Sequence, residues 1–493
     1  MRHTPTFALT IAIVTASALP RASADTITVG PGGDFSTIQQ GLDAAGDYDR
    51  VVVENGTYRG PLNTNLDFHG ARIELSAITP GAAVIDCEGS ARAFLFDDGE
   101  DTLSVVDGFS VTNGFHSTGG GARIVDSSPM FLNCGFLSCA VDELGGAVRV
   151  LRGHPVFDSC TFTSNEAVDG GAIAVENGGI ALRGSDMTSN AADDFGGALF
   201  LDESTAVVID CTFSDNSVST HYGDETAFGG AVRILGSQVE LVGCVFESNV
   251  ARRGGAVSLR RPSSVTIFDC AFYYNRSGGY YSSQTGRGAA IHMFGCSPVI
   301  DGCRFERNEP MGGGTVWGEY SSPTLTGCEF FNNKGKTGTQ EIGHDVELYH
   351  TDIGDALIEN CTFCGWRMRD RDDGALLRFG DCEPLVERTI ISFYNHGPGV
   401  DCVGTGSPTI RECIVFGNVG GDEVCGDDPE NNLSVDPLFC GFWDGNLNLC
   451  ANSPALPGGN PWGALIGARG EGCSSCDTPV EQTSWGTIKA MYR

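Results

Sequence analysis

Two aspartates and an arginine occupy the same place in three repeats of the chain, within two residues before a pair of glycines. They are Asp169, Asp194 and Arg253. If the repeats stack as adjacent turns, the two carboxyl groups lie about 5 Å apart, which is the separation found in retaining glycosidases. Aspartate is also common in turns for conformational reasons, and the chain contains 63 acidic residues. The three residues are therefore candidate catalytic groups for sugar cleavage, with a purely structural turn as the alternative.

Three longer repeats carry extra residues after a repeated asparagine. These insertions span residues 217–228, 276–287 and 334–344. Because they share one position in the repeat, we expect them to line up on one side of the molecule, where they either bind a ligand or only cover that side. Aromatic rings on supported loops suit stacking on sugars or contact with a protein. The predicted binding residues are His221, Tyr222, Asp224, Glu225, Tyr280, Tyr281 and His344.

The 20 cysteines fall into two groups. Those of the repeat should point inward as free thiols, because their parallel side-chain vectors disfavour disulfide geometry. Examples are Cys160, Cys211, Cys244 and Cys270. The second group lies in irregular chain near the C-terminus, where covalent closure would offset weak packing. We expect disulfides among Cys425, Cys440, Cys450, Cys473 and Cys476.

No cofactor or metal site is predicted. The C-x-x-C pairs at Cys361 and Cys473 lack a suitably spaced histidine, which argues against zinc. The Asp-rich turns could bind Ca²⁺ weakly, but none of them has the spacing of a calcium-binding loop.

A repeat must position all of these groups. The motif C-x-F-x-x-N, followed by G-G-A, recurs at intervals of 24 to 28 or 33 residues. Its cysteine and phenylalanine are two residues apart, so on a strand both side chains point to the same face. Two or three strands in about 25 residues leave no room for a crossover helix. Stacked coils, with each strand pairing about 4.8 Å from its counterpart, form a parallel β-helix.

The G-G-A-[IV] and F-x-x-N elements of residues 119–418 resemble the polymorphic outer membrane protein repeat, within the right-handed parallel β-helix, pectate-lyase-like superfamily. Residues 35–58 resemble the N-terminal segment of that superfamily, a short amphipathic helix followed by the first strand. Residues 435–439, 452–456 and 466–468 resemble the exit segment of secreted bacterial β-helix proteins. The resemblance implies an all-β right-handed β-helix with an N-terminal helical cap, and export. No motif for the calcium site and basic residue of the superfamily's lyases is readable, so it implies no activity.

The N-terminus has the layout of a secretory signal. Arg2 and His3 precede an apolar run over residues 7–19, and a small-residue site ends at Ala24. We expect cleavage after Ala24 and no transmembrane segment in the mature chain. The predicted organisation is a signal peptide at 1–24, an N-terminal cap at 25–50, a parallel β-helix at 51–450, a Cys-containing exit segment at 451–476 and a short tail at 477–493.

Composition limits the function. The chain has 493 residues, 69 of them glycine, and a formal net charge of −33, which argues against nucleic acid as a partner. We expect a secreted or cell-surface bacterial protein, monomeric, that binds an extracellular polysaccharide or a surface protein without catalysis. The alternative is a polysaccharide lyase or glycoside hydrolase acting on an extracellular polysaccharide.

Overall fold

The chain winds into a right-handed parallel β-helix, as the repeat predicts. The computed structural model describes residues 24–219, 227–261, 263–278, 286–333, 344–350, 356–365, 374–395, 397–427 and 431–476. Each coil passes through three long sheets, here called A, B and C, and seven coils add a strand of a shorter sheet D between B and C. Every strand pair in these four sheets is parallel, because each strand pairs with its counterpart one coil away.

The strands of each sheet follow one another in chain order. Sheet A contains Thr26–Val29, Arg50–Val53, Glu74–Ala77, Val105–Asp107, Met130–Leu132, Val156–Asp158, Gly179–Arg183, Thr205–Ile209, Gln238–Val242, Ser264–Phe268, Val299–Asp301, Thr324–Thr326, Leu357–Glu359, Leu385–Glu387 and Thr409–Arg411. Sheet B contains Gly56–Tyr58, Ala83–Asp86, Phe109–Thr112, Gly135–Leu137, Thr161–Thr163, Asp186–Thr188, Thr212–Ser214, Val245–Glu247, Ala271–Tyr273, Arg304–Glu306, Glu329–Phe331, Thr362–Cys364, Ile390–Ser392 and Ile414–Phe416.

The other two sheets of the solenoid meet at the glycine pairs. Sheet C contains Leu66–Asp67, Phe94–Phe96, Ala122–Val125, Val148–Leu151, Ile173–Glu176, Leu199–Asp202, Val232–Leu235, Val257–Arg260, Ile291–Phe294, Gly314–Glu319, His344–Tyr349, Leu377–Gly380 and Val400–Val403. Sheet D contains Phe115–His116, Ala140–Val141, Glu166–Asp169, Ala191–Phe195, Ser217–Val218, Val250–Ala251 and Arg276–Ser277.

A stack of phenylalanine rings runs down the core under sheet B. Phe162, Phe213, Phe246 and Phe272 are all fully buried, which confirms the predicted strand register. The ring of Phe246 lies 4.9 Å from that of Phe213 and 4.8 Å from that of Phe272, centroid to centroid. The motif cysteines are buried free thiols, also as predicted.

Beside this stack runs a buried asparagine ladder, which we did not predict. Its members are Asn165, Asn190, Asn216, Asn249, Asn275, Asn308 and Asn333. The Oδ1 atom of Asn216 accepts hydrogen bonds from the backbone N–H and the side-chain amide of Asn190, each at 3.0 Å. Its own Nδ2 donates to the carbonyl of Met187 and to Oδ1 of Asn249. The asparagine that we expected only to bend the chain thus also satisfies polar groups inside the bend.

The glycine pair makes the turn from sheet D to sheet C possible. Gly170 has a φ of 63°, a conformation that glycine adopts without the steric cost of a side chain. A Cβ on Gly171 would lie 2.2 Å from the carbonyl oxygen of Gly197 in the next coil. At Gly171, adjacent coils therefore approach too closely for any residue but glycine.

The two ends of the solenoid differ. Near the N-terminus, an α-helix spans Ile38–Ala44 and buries Ile38 and Leu42 in the core; its function as a cap stays a prediction. At the C-terminus the regular coils end at the strand Ile414–Phe416, short of the predicted residue 450. The chain then forms a small sheet E from Phe439–Gly441, Asn446–Cys450 and Glu471–Cys473, with a 3₁₀ helix at Phe442–Asp444.

Sheet E and the chain between its strands pack on the outer face of sheet B instead of extending the solenoid. Arg469 pairs with Glu329, and the backbone N–H of Ala468 donates to Thr362 Oγ1 at 2.9 Å. The disulfides are Cys402–Cys425, Cys440–Cys473 and Cys450–Cys476, so all five predicted cysteines are paired and Cys402 joins them.

In the part of the chain that the structure describes, no helix has both the length and the apolarity to cross a membrane.

Candidate functional site

Sheets C and D enclose a corner that runs parallel to the axis of the solenoid. The last residue before each glycine pair forms a stacked row along it, here called the turn row, in which each residue bridges to its equivalent one coil away. The turn row consists of Leu144, Asp169, Phe195, Phe228, Arg253 and Arg287.

The outward side chains of sheet C form a second row, here called the floor row. Its register is continuous, and most of its side chains are buried. It consists of Arg149, Ala174, Phe200, Arg233, Ser258, His292, Trp317, Glu347 and Arg378.

The two rows contact each other across the corner. The guanidinium of Arg233, on the floor row, lies 4.5 Å from the centroid of the Phe228 ring and 5.5 Å from that of Phe195. The guanidinium of Arg287, on the turn row, lies 4.5 Å from the Trp317 ring. Aromatic rings thus support the cations by cation–π contact. We call this packed corner the corner groove.

The charges of four arginines act on one buried histidine in the corner groove. Arg233 Nη1 donates to Ser258 Oγ at 2.6 Å, and that oxygen lies 3.3 Å from His292 Nδ1. Burial first, and then the charges of Arg233, Arg253, Arg287 and Arg260, lower the pKa of His292 well below its ordinary value. The histidine is therefore neutral, and the positive charge belongs to the guanidinium groups. Arg233, Arg253, Arg260 and Arg287 are here called the arginine cluster.

The arginine cluster is open to solvent on its outer side. The side chain of Arg287 is 43% exposed and pairs with Glu319 at 3.6 Å, while Arg233 is fully covered. Arg253 is partly exposed, and Arg260 is exposed. Four neighbouring arginines, three of them at least partly exposed, are a local concentration of cations in a chain whose formal charge is −33.

The structure brings the candidate catalytic aspartates together but not the arginine. Burial and the neighbouring charge of Asp194 raise the pKa of Asp169 to about 7, and the buried Asp169 Oδ1 has no hydrogen-bond partner among the residues that the structure describes. An extra residue in the strand Ala191–Phe195 makes Phe195, rather than Asp194, the register partner of Asp169. Arg253 lies three strands further along the turn row, which corresponds to about 14 Å. The three residues therefore do not form one catalytic centre.

Most of the predicted binding residues lie outside the described part of the chain. These are His221, Tyr222, Asp224, Glu225, Tyr280 and Tyr281. The residues that flank the first two insertions do stack: Ser217 and Arg276 belong to sheet D, and Phe228 and Arg287 belong to the turn row. The described residues at the ends of both insertions therefore lie at the corner groove.

The expected exposure of His344 is wrong. Only 1% of this residue is exposed, because it begins a strand of sheet C instead of ending a loop. Its Nδ1 lies 3.0 Å from the backbone nitrogen of Ala375, and its Nε2 lies 3.2 Å from Nη1 of Arg378.

The floor row was missed by sequence reasoning, although a signal for it exists. Arg233, Ser258 and His292 each follow the first glycine of a pair, or its equivalent, by four residues. At that offset a soluble solenoid would normally place an exposed side chain. The offset identifies the row, but only the folded corner shows that the row is buried against the turn row.

Glu347 is a buried carboxylic acid within the floor row. It is 5% exposed and stands between Trp317 and Arg378 in the register. Its Oε2 atom has no hydrogen-bond partner among the described residues. Burial raises the pKa of Glu347 to about 7, and interaction with the Tyr349 hydroxyl and the charges of Arg378 and Arg287 oppose that rise.

This raised pKa predicts a loss of stability on the alkaline side. Between its ordinary pKa of 4.5 and about 7, Glu347 ionises in the unfolded chain while the folded chain keeps the proton, so the free energy of unfolding falls as the pH rises. Glu347→Gln should remove this dependence and gain about 2–3 kcal/mol relative to wild type between pH ~5 and ~8. Urea unfolding of both proteins at the two pH values measures this difference in the free energy of unfolding. Glu247→Gln, a substitution at an exposed residue, is the control. Equal pH dependence in wild type and Glu347→Gln would contradict the assignment.

Two described groups of side chains bring potential metal ligands together. Cys440, Cys450 and Cys473 already take part in disulfides. The second group is Asp67, His69 and Asp98, near the N-terminal end of sheet C. His69 pairs with Asp67 at 3.2 Å and with Asp43 at 3.4 Å, so carboxylates already contact both of its ring nitrogens.

Comparison with known proteins gives one family and several distant structures. The family model described as right handed beta helix region matches residues 111–287 and 230–435. A pectin methylesterase from Aspergillus niger aligns at 15% identity over 54% of this chain and 89% of its own, with a TM-score of 0.30. An alginate lyase in complex with a trisaccharide aligns at 12% identity over 92% and 97%, with a TM-score of 0.37. A pectate lyase aligns at 12% identity over 91% and 98%, with a TM-score of 0.24.

These likenesses assign no activity to this chain, because every identity is low and every TM-score lies below 0.5. No curated protein sequence matches the chain at a significant level. The family match supports the β-helix part of the predicted resemblance, whereas the polymorphic outer membrane protein repeat type stays a prediction.

Proposed function

The chain belongs to the right handed beta helix family, and from this premise we propose that it is a secreted or cell-surface protein that binds an acidic extracellular polysaccharide along the corner groove. The observation that carries the proposal is the arginine cluster, a concentration of positive charge in a strongly acidic protein. Export by the signal at residues 1–24 and a monomeric state belong to the same proposal.

The chemistry of the arginine cluster favours carboxylates. A guanidinium group presents parallel N–H donors that match the two oxygens of a carboxylate, and hydrogen bonds between charged groups are stronger than neutral ones. Arg253 and Arg287 bridge in adjacent strands, so their backbones are about 4.8 Å apart along the axis. A rigid row of donors parallel to the axis suits an extended polymer with a regularly repeated acid group.

The overall negative charge of the protein limits which polyanions can bind to it. A chain with a formal charge of −33 repels a dense polyphosphate such as nucleic acid over most of its surface. A polysaccharide with one carboxylate per sugar has a lower charge density and can follow the corner groove alone. We therefore propose a polyuronate as the class of ligand.

Cleavage of the polysaccharide is the second candidate function, and one observation favours it. Asp169, whose pKa is about 7, lies close to Asp194, so the carboxyl group of Asp169 can keep a proton near neutral pH. Glycosidases use a pair of carboxyl groups, one of which donates a proton. One observation stands against cleavage. None of the described arginines of the arginine cluster lies in the same turn as Asp169 and Asp194.

Titration of the mature protein with polygalacturonate, alginate and a neutral glucan tests both candidates. We expect binding to at least one polyuronate, no binding to the glucan, and an affinity about tenfold weaker at high ionic strength because exposed charges are screened. Parallel assays with and without calcium follow new reducing ends and unsaturated products. Absence of binding to any polyuronate would overturn the proposal, and product formation that Asp169→Asn abolishes would establish cleavage in its place.

A further inference from the structure

An exposed aromatic row borders sheet C on the side opposite the corner groove. Phe294 ends a strand of sheet C, and Tyr320 and His350 directly follow the next two strands. The rings of Phe294 and Tyr320 are 5.6 Å apart and those of Tyr320 and His350 are 5.5 Å apart, the latter pair nearly parallel at 19°. Phe294, Tyr320 and His350 are here called the aromatic row.

The aromatic row is exposed or partly exposed, and two of its three residues, Tyr320 and His350, occupy a corner position that is polar or glycine in other coils. Phe294 is 36% exposed and Tyr320 is 38% exposed. The corner position of Tyr320 and His350 is occupied in other coils by polar residues or glycine, and its non-glycine members share a positive φ near 50°. Examples of the polar residues are Asp126, Arg152, Asn177 and Glu203. The backbone therefore does not require aromatic side chains here, and a bulky residue at positive φ is itself uncommon.

The aromatic row is continuous with the arginine cluster. The guanidinium of Arg260, a member of that cluster, lies 5.6 Å from the centroid of the Phe294 ring. Glu319, which pairs with Arg287, directly precedes Tyr320. The ring of Tyr349 extends the apolar surface, since it lies over Gly380, where an added Cβ would come within 2.2 Å of the ring. The cations and the rings thus form one surface across the outer face of sheet C.

The geometry favours a sugar chain as the occupant of this surface. The rings follow the axis with one ring per coil, whereas the flanking groups are charged and paired, as Arg261 is with Asp202 at 3.1 Å. A single line of rings between charged pairs is a small apolar surface, far less than the roughly 800 Å² per partner that a stable protein interface buries. The apolar faces of pyranose rings stack on aromatic side chains, and hydroxyl groups at their edges can bond to the flanking charges.

We propose that the aromatic row is a stacking subsite that holds successive sugar rings of the same acidic polysaccharide whose carboxylates bind at the arginine cluster. This inference rests on the proposed function and adds to it that recognition has an uncharged component. Stacking on aromatic rings is not screened by salt, whereas the contribution of the arginine cluster is. The two subsites are therefore separable by ionic strength.

The test compares the Tyr320→Ala/His350→Ala double variant with wild type, using the polyuronate that wild type binds. We expect an affinity about fivefold to hundredfold weaker, with an unchanged ratio between low and high salt, because two stacking contacts are lost. Tyr274→Ala is the matched control, since Tyr274 is 46% exposed on another face and is hydrogen-bonded to Arg307 at 2.7 Å. Thermal melting confirms that each variant is folded.

The outcomes separate this inference from the proposed function. Wild-type affinity in a folded double variant would overturn the stacking subsite and leave the proposed function standing. An equal loss in Tyr274→Ala would also overturn the subsite, because the effect would not be local. Failure of wild type to bind any polyuronate would remove the proposed function and this inference with it.

Discussion

Replacing Asn216 with alanine is expected to lower the free energy of unfolding by about 3–6 kcal/mol. The substitution removes the acceptor of two hydrogen bonds from Asn190 and the donor to the carbonyl of Met187. All these groups are buried, and each unsatisfied polar group costs about 1–3 kcal/mol. Chemical denaturation followed by circular dichroism measures the loss.

Ser214→Ala provides the control for this variant. Ser214 lies in the same coil, faces outward and shares one hydrogen bond of 3.1 Å with Thr188. Its loss should cost less than about 1.5 kcal/mol. If Asn216→Ala were no more destabilising than Ser214→Ala, the asparagine ladder would not contribute to stability as described.

Phe246→Ala should be nearly as damaging, with an expected loss of about 3–5 kcal/mol. The ring is fully buried between those of Phe213 and Phe272, and the stacked coils leave the surrounding backbone little freedom to fill the cavity. Tyr273→Ala, on the outer face of the neighbouring strand, removes an aromatic ring of similar size without opening the core. Similar melting temperatures for the two variants would refute the inward stack.

The solenoid could be predicted because its repeat specifies both strand direction and side-chain face. The two-residue spacing of cysteine and phenylalanine placed Phe246 and Cys244 inside, and the structure confirms both. The asparagine ladder could not be predicted in the same way. Asparagine is common in turns for local reasons, and its buried hydrogen bonds exist only after the neighbouring coil is in register.

The candidate site was only partly predictable, because it depends on how two rows of side chains meet. Spacing placed Asp169, Asp194 and Arg253 near the glycine pairs, but the extra residue before Phe195 and the three-strand distance to Arg253 appear only in the register. Arg233 and His292 look like outward residues of an exposed strand. They are buried because sheet D folds the turn row over them.

The C-terminal segment shows a second limit of the repeat. Beyond Phe416 the motif disappears, and the predicted continuation of the coils to residue 450 did not allow for a chain that reverses. Sheet E packs on sheet B through contacts distant in sequence, such as Arg469 with Glu329. A repeat encodes contacts between neighbouring coils and carries no information about such contacts.

The most direct test of the account is the affinity of the Arg253→Gln/Arg287→Gln double variant for the polyuronate that wild type binds. We predict a loss of at least about hundredfold, since hydrogen bonds to charged groups contribute about 1.5–3 kcal/mol each and every 1.4 kcal/mol is about tenfold, together with a weaker salt dependence. Arg253→Lys/Arg287→Lys should retain part of the affinity, and Arg152→Gln should retain all of it, because Arg152 pairs with Asp126 on a different corner. Wild-type affinity and salt dependence in a folded Arg253→Gln/Arg287→Gln variant would contradict the account.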